Sequence, residues 1–347
     1  GVVGLKESYD TRRALGNNIR TLVAMTKQSK STVILTGAGI STASKIPDFR
    51  GPSGIWTLEK ERKKRQQQAD GKQNGGTKRK RQEAKGAATT ATETADSVPS
   101  NSAASTTQQQ QKQQPPAVAA TTAATIDFAN AQPTLTHRAI TALVEKGTVD
   151  YVVTQNVDGL HRKSGLSRDH HSTVHGCVFT EKCSQCGMEV FGDNEVDGLS
   201  FEPTGNACGK CHTKTMHDIL LDWEDMVLDL ELCETKCKNA DLCICLGTSL
   251  RINPVGSLPL LSKKFVIVNL QPTPLDDQAS LVIRARVDEV MARLMEEMGY
   301  TNWDTGTGTD GTSTLSSIIE REWTPPNGDN SQFAAILADK KRQKEGE

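Results

Sequence analysis

The sharpest chemical signal in this 347-residue chain is two pairs of cysteines. Cys183 and Cys186 form one CxxC pair, Cys208 and Cys211 form the second, and 21 residues lie between the pairs. This spacing slightly exceeds that of the common zinc ribbons, but four thiolates complete the tetrahedral shell of a structural Zn²⁺ site. Because such a shell leaves no position for water, the sequence predicts one zinc ion that stabilises a small subdomain without catalysing a reaction. Four unrelated reduced cysteines are the alternative, which the paired spacing disfavours.

The rest of the composition excludes some classes of protein. Nine cysteines in an otherwise ordinary enzyme composition, several of them in CxxC pairs, favour metal binding in a reducing compartment over disulfides. No apolar run is long enough to span a membrane and no signal-peptide segment opens the sequence, so we expect a soluble intracellular protein. The formal net charge of -1 says little about partners. The cysteines outside the two pairs are interpreted as core or incidental residues: Cys177, Cys233, Cys237, Cys243 and Cys245.

His175, in the segment Val174-His175-Gly176 just before the zinc pairs, is a candidate general base. Histidine commonly takes this role near neutral pH because its unperturbed pKa is about 6.5. A lone histidine is more often structural, however, and the sequence gives this one no partner. The residue type alone therefore leaves catalysis and a structural role open.

A second candidate site follows the short aliphatic strand predicted over 32–35. Gly37 and Gly39 stand where this strand is expected to give way to a helix, whose N-terminus would face a pyrophosphate. The pattern departs from the common dinucleotide motif, since Thr42 replaces its third glycine and no clear acid follows about 20 residues on. The polar loop that comes next suggests a cofactor held for unusual chemistry, and its principal residues are Asp48, Phe49 and Arg50.

Polar side chains also follow the ends of other predicted strands. Asn156 and Asp158 come after the aliphatic run that begins at Tyr151, although both residue types also form turns. Three further apolar runs, over 242–246, 265–270 and 281–283, complete a plausible parallel sheet. Because open parallel sheets bind ligands at the carboxyl ends of their strands, four such ends would converge on one crevice. The other small or polar residues at these ends are Gln155, Gly247, Thr248, Ser249, Asn269 and Gln271.

These patterns predict an α/β fold with a parallel sheet in the large part of the chain and a small subdomain that contains the zinc ribbon. Helices are predicted over 9–28, where apolar residues form one stripe, and over 134–145, with Gly147 at the end. After Trp56 the composition changes abruptly. Residues 60–85 are rich in Lys and Arg, and 86–125 are mostly Ala, Thr, Ser and Gln.

We predict that about 60–126 is a disordered insertion, because burial there cannot offset the entropy of ordering. Its basic runs, 62–65 and 78–81, fit a nuclear-localisation signal or a contact with DNA or a nucleosome. A merely solvated loop is the alternative.

Five motifs, in this order, resemble those of the sirtuin family. They are TGAGISTASKIPDFRGPSGIW from Thr36, TQNVDGLH from Thr154, VHG before the two CxxC pairs, LGTSL from Leu246 and IVNLQPT from Ile267. The resemblance covers nearly all of the chain outside the insertion and the residues after about 303. The segments IPDFRGPSGIWT and ILLDWED, with LGTSL and IVNLQPT, are similar especially to the nuclear, class IV branch.

This resemblance implies an NAD-dependent protein-lysine deacetylase or deacylase. Sirtuins place a Rossmann-like domain and a small zinc-and-helix domain on two sides of a cleft, and transfer the acyl group of lysine to ADP-ribose with release of nicotinamide. His175 would be the general base that takes a proton from a ribose hydroxyl, and Asn156 and Asp158 would contact the nicotinamide ribose and nicotinamide pocket. NAD and one structural Zn²⁺ are the implied cofactors, and nuclear acyl-lysine proteins such as histones are the implied partners. The residues implied to hold NAD are Gly37, Ala38, Gly39, Thr42, Asp48, Phe49, Arg50, Trp56, Gln155, Gly247, Thr248, Ser249, Asn269, Gln271 and Val287, and Asp222 and Trp223 would line the acyl-lysine channel.

Three alternative functions stay open. A mono-ADP-ribosyltransferase would use the same cofactor and cleft but leave ADP-ribose on protein. A zinc hydrolase would not need NAD, although the saturated four-cysteine site argues against it. A chromatin-binding module would use the zinc ribbon and the basic insertion, with little catalysis.

The expected division of the chain follows the motifs. The Rossmann-like domain takes 1–59, 127–172 and 219–303, the insertion takes 60–126, the zinc domain takes 173–218, and 304–347 is a mobile tail. Two departures from the family stand out: Cys177 replaces a small polar amide that is common in relatives, and the insertion lies where the family has a variable module.

Overall fold

Two β-sheets form the framework of the structure. The computed structural model describes residues 2–58, 60–62, 126–213, 215–301, 303–304 and 319–345. The strands are β1 (Thr32–Thr36), β2 (Tyr151–Thr154), β3 (His171–Thr173), β4 (Thr180–Cys183), β5 (Glu189–Phe191), β6 (Met216–Asp218), β7 (Leu242–Leu246), β8 (Phe265–Val268), β9 (Leu281–Ile283) and β10 (Glu322–Trp323). The larger sheet has the order β3-β2-β1-β7-β8-β9, and every neighbouring pair in it is parallel. The predicted parallel sheet is therefore confirmed.

The larger sheet is built mainly from continuous aliphatic runs. Every residue of β1, β2, β7 and β8 is buried, as expected for parallel strands covered on both faces. β8 ends at Val268, two residues before the predicted end. β3 was not predicted, because His171-Ser172-Thr173 contains no apolar run. It pairs with β2 instead through the backbone, and a hydrogen bond of 2.8 Å joins the hydroxyls of Ser172 and Tyr151.

Helices cover the two faces of this sheet. The α-helices of the described residues are α1 (Arg12–Gln28), α2 (Leu135–Glu145), α3 (Leu160–Lys163), α4 (Leu230–Asn239), α5 (Val287–Glu297) and α6 (Ser331–Glu345), and those that cover the larger sheet are α1, α2, α4 and α5. Ile34 of β1 belongs to the core that contains α1, α2 and α5, whereas Val33 and Leu35 belong to the core that contains α4. The two predicted helices are confirmed; α1 begins after the Thr11 cap, and the side chain of Thr134 caps α2.

The smaller sheet is antiparallel and has the order β10-β5-β4-β6. Its strands are short, and Cys183 is the last residue of β4. One side of it carries a compact core that includes Phe179, Phe191 and Phe201. The five cysteines outside the CxxC pairs are buried and free, which confirms that they are core residues: Cys177, Cys233, Cys237, Cys243 and Cys245.

The C-terminal part of the chain differs from the predicted mobile tail. Its described residues 319–345 contain β10, which pairs with β5, and the 15-residue helix α6. Phe333 and Ile336, one helical turn apart, are both 2% exposed in the core of the smaller sheet. The signal for this helix was the spacing of Phe333 and Ile336, followed by Leu337 and then by charged residues from Asp339 onward.

The predicted disorder of 60–126 lies outside the described residues, except at 60–62 and Ile126. In the rest of the chain no described helix is long and apolar enough to cross a membrane. The domain boundaries stay predictions.

Three buried histidines lie together between the sheet and α2. The ring centroids of His137 and His161 are 4.8 Å apart, and those of His161 and His171 are 6.3 Å apart. Each ring has one nitrogen without a partner in the described structure, and burial lowers the pKa of all three, that of His161 to about 3. These histidines are therefore neutral in the folded protein at pH 7.

Acidification below pH 6.5 is expected to destabilise the protein through these histidines. The unfolded chain binds protons there with a pKa of about 6.5, while the folded chain does not, so the free energy of unfolding falls as the pH falls. Each histidine contributes about 1.4 kcal/mol per pH unit once it is fully protonated in the unfolded state. Urea unfolding between pH 7 and pH 5 measures the slope, and His161→Gln is expected to reduce it. An equal slope in the two proteins would contradict the assignment, since carboxylates and zinc ligands are common to both.

Candidate active site

The carboxyl ends of β1 and β7 meet in a close turn. The N–H of Gly37 donates to Leu246 O at 3.1 Å, and the N–H of Gly39 donates to Gly247 O at 2.9 Å. A Cβ atom added at Gly39 would lie 2.8 Å from Gly247 Cα, so no side chain fits there. The helix expected after Gly39 is absent: the described residues form two short 3-10 turns, Ala38–Ile40 and Thr42–Ser44. The expectation of a helix N-terminus was therefore wrong, and the glycines are needed first for the approach of two strand-end loops.

Asn156 and Asp158 follow β2 and reach across to this turn. Ser41 Oγ donates to Asp158 Oδ2 at 2.6 Å, and the N–H of Leu160 donates to Asp158 Oδ1 at 3.0 Å. Asn156 Nδ2 donates to Gly37 O and lies near Ser41 Oγ, both at 3.2 Å. Burial raises the pKa of Asp158, and the hydrogen bond from Ser41 opposes that rise. Ser41 is a site residue that the sequence analysis missed, although it lies inside the TGAGISTAS motif.

His175 lies where the larger sheet meets the segment after β6. His175 Nδ1 is 3.1 Å from Gln155 O, and the N–H of Leu221 donates to His175 O at 3.3 Å. Gln155 Nε2 in turn donates to Thr248 Oγ1 at 2.8 Å, which joins the ends of β2 and β7. Burial lowers the pKa of His175, so the ring is neutral near pH 7. With Nδ1–H donating to Gln155, Nε2 has its lone pair free to accept a proton.

The loop after the glycine turn forms an aromatic stack. The ring centroids of Phe49 and Trp56 are 4.9 Å apart, and those of Trp56 and Trp223 are 5.3 Å apart. The Arg50 guanidinium lies 4.5 Å from the Trp56 ring centroid. Asp48 accepts the N–H of Gly51, and burial raises the pKa of this carboxyl. Phe49 and Trp223 are 39% and 58% exposed, so the open end of the stack is apolar and reaches solvent.

The remaining predicted cofactor residues lie along the same edge of the sheet. Asn269 follows β8 and donates from Nδ2 to Gln271 O at 2.8 Å, while Gln271 Nε2 donates to Arg50 O at 3.4 Å. This second bond links the β8 end to the aromatic loop. Thr42 Oγ1 donates to Gly39 O at 3.2 Å, and Val287 is the buried first residue of α5. Ala38 and Ser249 are half-buried in the loops after β1 and β7.

The four paired cysteines form a second site, on the smaller sheet. Their sulfur atoms all lie within 4.8 Å of one another. The Sγ atoms of Cys183 and Cys211 are 3.6 Å apart, and those of Cys186 and Cys208 are 3.5 Å apart. A tetrahedron with Zn–S bonds of about 2.3 Å has edges of about 3.8 Å, so the four sulfurs fit a zinc ion. The predicted four-cysteine cluster is confirmed, and His212, an exposed neighbour, is not part of it.

Together these features define an α/β protein whose candidate site residues gather at the strand ends where the strand order reverses between β2-β1 and β7-β8, with a four-cysteine site on a separate small sheet. Comparison with known proteins identifies the family. The sequence model of the Sir2 family matches residues 90–254. NAD-dependent protein deacetylase Sirt6 of Drosophila melanogaster is 32% identical over 347 residues, which cover 96% of this chain and 90% of the relative. The chain therefore belongs to the Sir2 family, the sirtuins, as the motifs predicted.

Other relatives support the predicted class IV branch. NAD-dependent protein deacetylase sirtuin-7 of Homo sapiens is 30% identical over 86% of this chain and 65% of the relative. NAD-dependent protein deacetylase SRT1 of Arabidopsis thaliana is 37% identical over 86% of this chain, but the match spans only 53% of that relative. This chain thus spans about half the length of the plant relatives.

Solved structures agree with the fold. A Sir2 structure with a p53 peptide and NAD+ is 26% identical, with a TM-score of 0.50, and the match covers 82% of this chain and 99% of the other. A Sir2 structure bound to an acetylated peptide is 25% identical, with the same TM-score and the same coverage.

Proposed function

We propose that the chain is an NAD-dependent protein-lysine deacetylase or deacylase that transfers the acyl group to ADP-ribose with release of nicotinamide. The observation that carries the proposal is the arrangement at the end of β2. Gln155, Asn156 and Asp158 follow one strand, and His175 Nδ1 lies 3.1 Å from Gln155 O. A neutral candidate general base is thus held against Gln155, next in the chain to Asn156, and hydrogen bonds fix the side chains of both Asn156 and Asp158.

The residues present fit NAD. The close approach of Gly39 to Gly247 brings the loops after β1 and β7 together at the edge of the sheet where phosphates would bind, and Asn269 and Gln271 lie farther along the same edge for the adenosine half. In this proposal Asn156 and Asp158 contact the nicotinamide ribose and its pocket. The remaining predicted contacts, including Arg50 and Thr248, complete this edge. When bound, NAD supplies ADP-ribose as the acyl acceptor.

Each side chain has a defined task in this proposal. His175 Nε2 accepts the proton of a ribose hydroxyl, since Nδ1 is occupied by the Gln155 carbonyl and the lowered pKa keeps the ring neutral. Asp158 is fixed by Ser41 and by the N–H of Leu160, so its position does not depend on ligand. The ring of Phe49 covers the reacting face in this proposal, and Trp223, which packs on Trp56, lines the acyl-lysine channel.

The proposed substrates are acyl-lysine proteins, with nuclear proteins such as histones foremost. Relatives named NAD-dependent protein deacetylases and Sir2 structures with acetylated or p53 peptides support the substrate class. The basic runs of the insertion support a nuclear location and a contact with DNA or nucleosomes. Replacement of Lys78-Arg79-Lys80-Arg81 by alanines in a fluorescent fusion tests whether this run directs the protein to the nucleus. Unchanged nuclear fluorescence would show that this run is not the localisation signal.

Mass spectrometry of histone peptides that carry acetyl- or myristoyl-lysine tests the function directly. Incubation with NAD is expected to give free lysine, nicotinamide and O-acyl-ADP-ribose in equal amounts, and incubation without NAD is expected to give none. ADP-ribose retained on protein would point instead to a mono-ADP-ribosyltransferase. Deacylation without NAD would overturn the proposal, as would the absence of any reaction on peptides and nucleosomes by a protein that binds NAD.

A further inference from the structure

The C-terminal helix α6 connects the zinc site to the loop with Asp222 and Trp223. At its start, Asn330 Nδ2 donates to Ser184 O at 2.8 Å and to Cys183 O at 3.4 Å, on the first CxxC turn. Ten residues later, Lys340 reaches Asp225. Because a helix rises about 1.5 Å per residue, the two contacts lie roughly 15 Å apart along one rigid element.

Lys340 pairs with a carboxylate that is buried. Lys340 Nζ forms an ion pair with Asp225 Oδ1, and the Asp225 side chain is 0% exposed. Ser200 Oγ donates to the same carboxylate oxygen at 3.0 Å and also contacts Lys340 Nζ. A carboxylate that is fully removed from water needs such a cation, because burial of an uncompensated charge is costly.

The same carboxylate stabilises the loop 222–226, here called the acyl-lysine loop because it contains Asp222 and Trp223. The N–H of Asp222 donates to Asp225 Oδ2 at 2.8 Å, and the N–H of Asp225 donates back to Asp222 O at 3.2 Å. Asp222 Oδ1 then accepts the N–H of Trp223 at 2.7 Å. The ring centroid of Trp223 lies 5.3 Å from that of Trp56, so the conformation of this loop fixes the position of the last ring of the aromatic stack.

Further contacts anchor α6 along its length. The rings of Phe333 and Phe201 are 5.8 Å apart, and Lys344 Nζ lies 2.6 Å from Glu202 Oε1. Ser200 and Phe201 both have left-handed backbone, with φ of 70° and 68°. This conformation is uncommon for a phenylalanine and persists where the surroundings fix it. Ser200 is thereby held against Asp225, and α6 packs on the same segment.

We propose that α6 is a strut between the zinc site and the acyl-lysine loop, and that Lys340 is the positioning residue that holds this loop for the substrate peptide. The inference rests on the proposed function for its kinetic part only. Loss of the Lys340 ammonium leaves Asp225 without its cation, so the loop releases both of its Asp225 hydrogen bonds. Peptide binding then weakens, while the NAD edge of the sheet and His175 keep their contacts.

Lys340→Ala tests the proposal, with Lys341→Ala as the matched control. Lys341 is the next residue, its side chain is 77% exposed, and its only described ion pair is with Glu345 one turn away. Hydrogen exchange followed by mass spectrometry measures the exchange rates of the loop amides and does not require an active enzyme. In Lys340→Ala the amides of Asp222 and Asp225 are expected to exchange at least about tenfold faster, and in Lys341→Ala they are expected to keep the wild-type rate.

The kinetic arm uses an acetyl-lysine peptide. Lys340→Ala is expected to raise the KM for peptide by about tenfold, while kcat and the KM for NAD stay within about twofold of wild type. Lys340→Arg keeps a cation at this position and is expected to bring the KM for peptide most of the way back to the wild-type value. Asp225→Asn keeps the shape of the loop residue and is expected to reproduce faster exchange. Zinc content and thermal unfolding of each variant show that the fold is intact.

Unchanged exchange in both Lys340→Ala and Asp225→Asn would overturn the proposal. A loss of kcat with an unchanged peptide KM would also overturn it, since that result assigns Lys340 to the chemical step or to folding. If the wild-type protein proves inactive, the proposed function fails, but the exchange data still show whether Lys340 holds the loop in place.

Discussion

Replacement of His175 by alanine is expected to lower deacylation by about 10²–10⁴-fold, the range that general acid–base catalysis contributes. The ring is a neutral base held against the residue that follows β2, since its Nδ1 lies 3.1 Å from Gln155 O. NAD and zinc are expected to stay bound, because the glycine turn and the four cysteines do not depend on this side chain. Single-turnover assays with acetyl-lysine peptide, together with NAD titration, measure both quantities.

The control for this prediction is His170→Ala, which removes an exposed histidine that lies just before β3. It is expected to keep wild-type turnover. The pH profile adds a second readout: because burial lowers the pKa of His175, the acid limb of kcat/KM in the wild-type enzyme is expected below pH 6.5. Full activity of His175→Ala would remove His175 from catalysis.

Loss of one zinc ligand is expected to have the second large effect. Cys208→Ser should reduce the zinc content from one ion per chain to nearly none, since a serine hydroxyl does not supply the thiolate that the ion requires. The cluster around the site contains little besides the cysteines, Met188 and Met216, so the metal is the main source of stability there. Zinc binding contributes about 10–16 kcal/mol in zinc-finger peptides. Metal analysis and hydrogen exchange of β4, β5 and β6 measure the loss of metal and of structure.

Cys177→Ala provides the contrast, because Cys177 is buried in the other core of the smaller sheet and lies outside the cluster. It is expected to retain one zinc ion and the exchange protection of β4. Deacylation is expected to fall in Cys208→Ser and to persist in Cys177→Ala. A Cys208→Ser protein with a full zinc ion would show that three cysteines suffice, and the structural assignment of the fourth would fail.

The sequence was sufficient for the elements that are marked by continuous apolar runs. β1, β2, β7 and β8 were predicted because their residues, buried on both faces, form short runs that are mainly apolar. β9 was predicted from its apolar run as well, although Leu281 and Val282 are only half-buried. β3 was not, since His171-Ser172-Thr173 joins the sheet through backbone pairing and through Ser172, without an apolar signal. The helix expected after Gly39 was wrong because close packing of Gly39 on Gly247 favours short 3-10 turns there.

The candidate site shows the same division between local and long-range information. The zinc ligands were predictable because ligand spacing is a local property. Ser41 was not singled out, since its partner Asp158 is 117 residues away and their contact depends on the register of β1 and β2. Likewise, the ion pair of Lys340 and Asp225 joins segments more than a hundred residues apart. Such pairs carry no local pattern, so they become visible only when the sheets are assembled.

The place of β1 in the sheet also sets the order in which the chain folds. β1 ends at Thr36, whereas its two neighbours begin at Tyr151 and Leu242. At a synthesis rate of about 5–20 residues per second, β7 follows β1 from the ribosome by roughly 10–40 s. During this interval the run Val33-Ile34-Leu35 lacks at least one of its neighbours, and unpaired apolar edges favour aggregation. The nascent chain must therefore keep this apolar strand soluble until β7 has been synthesised and can pair with it.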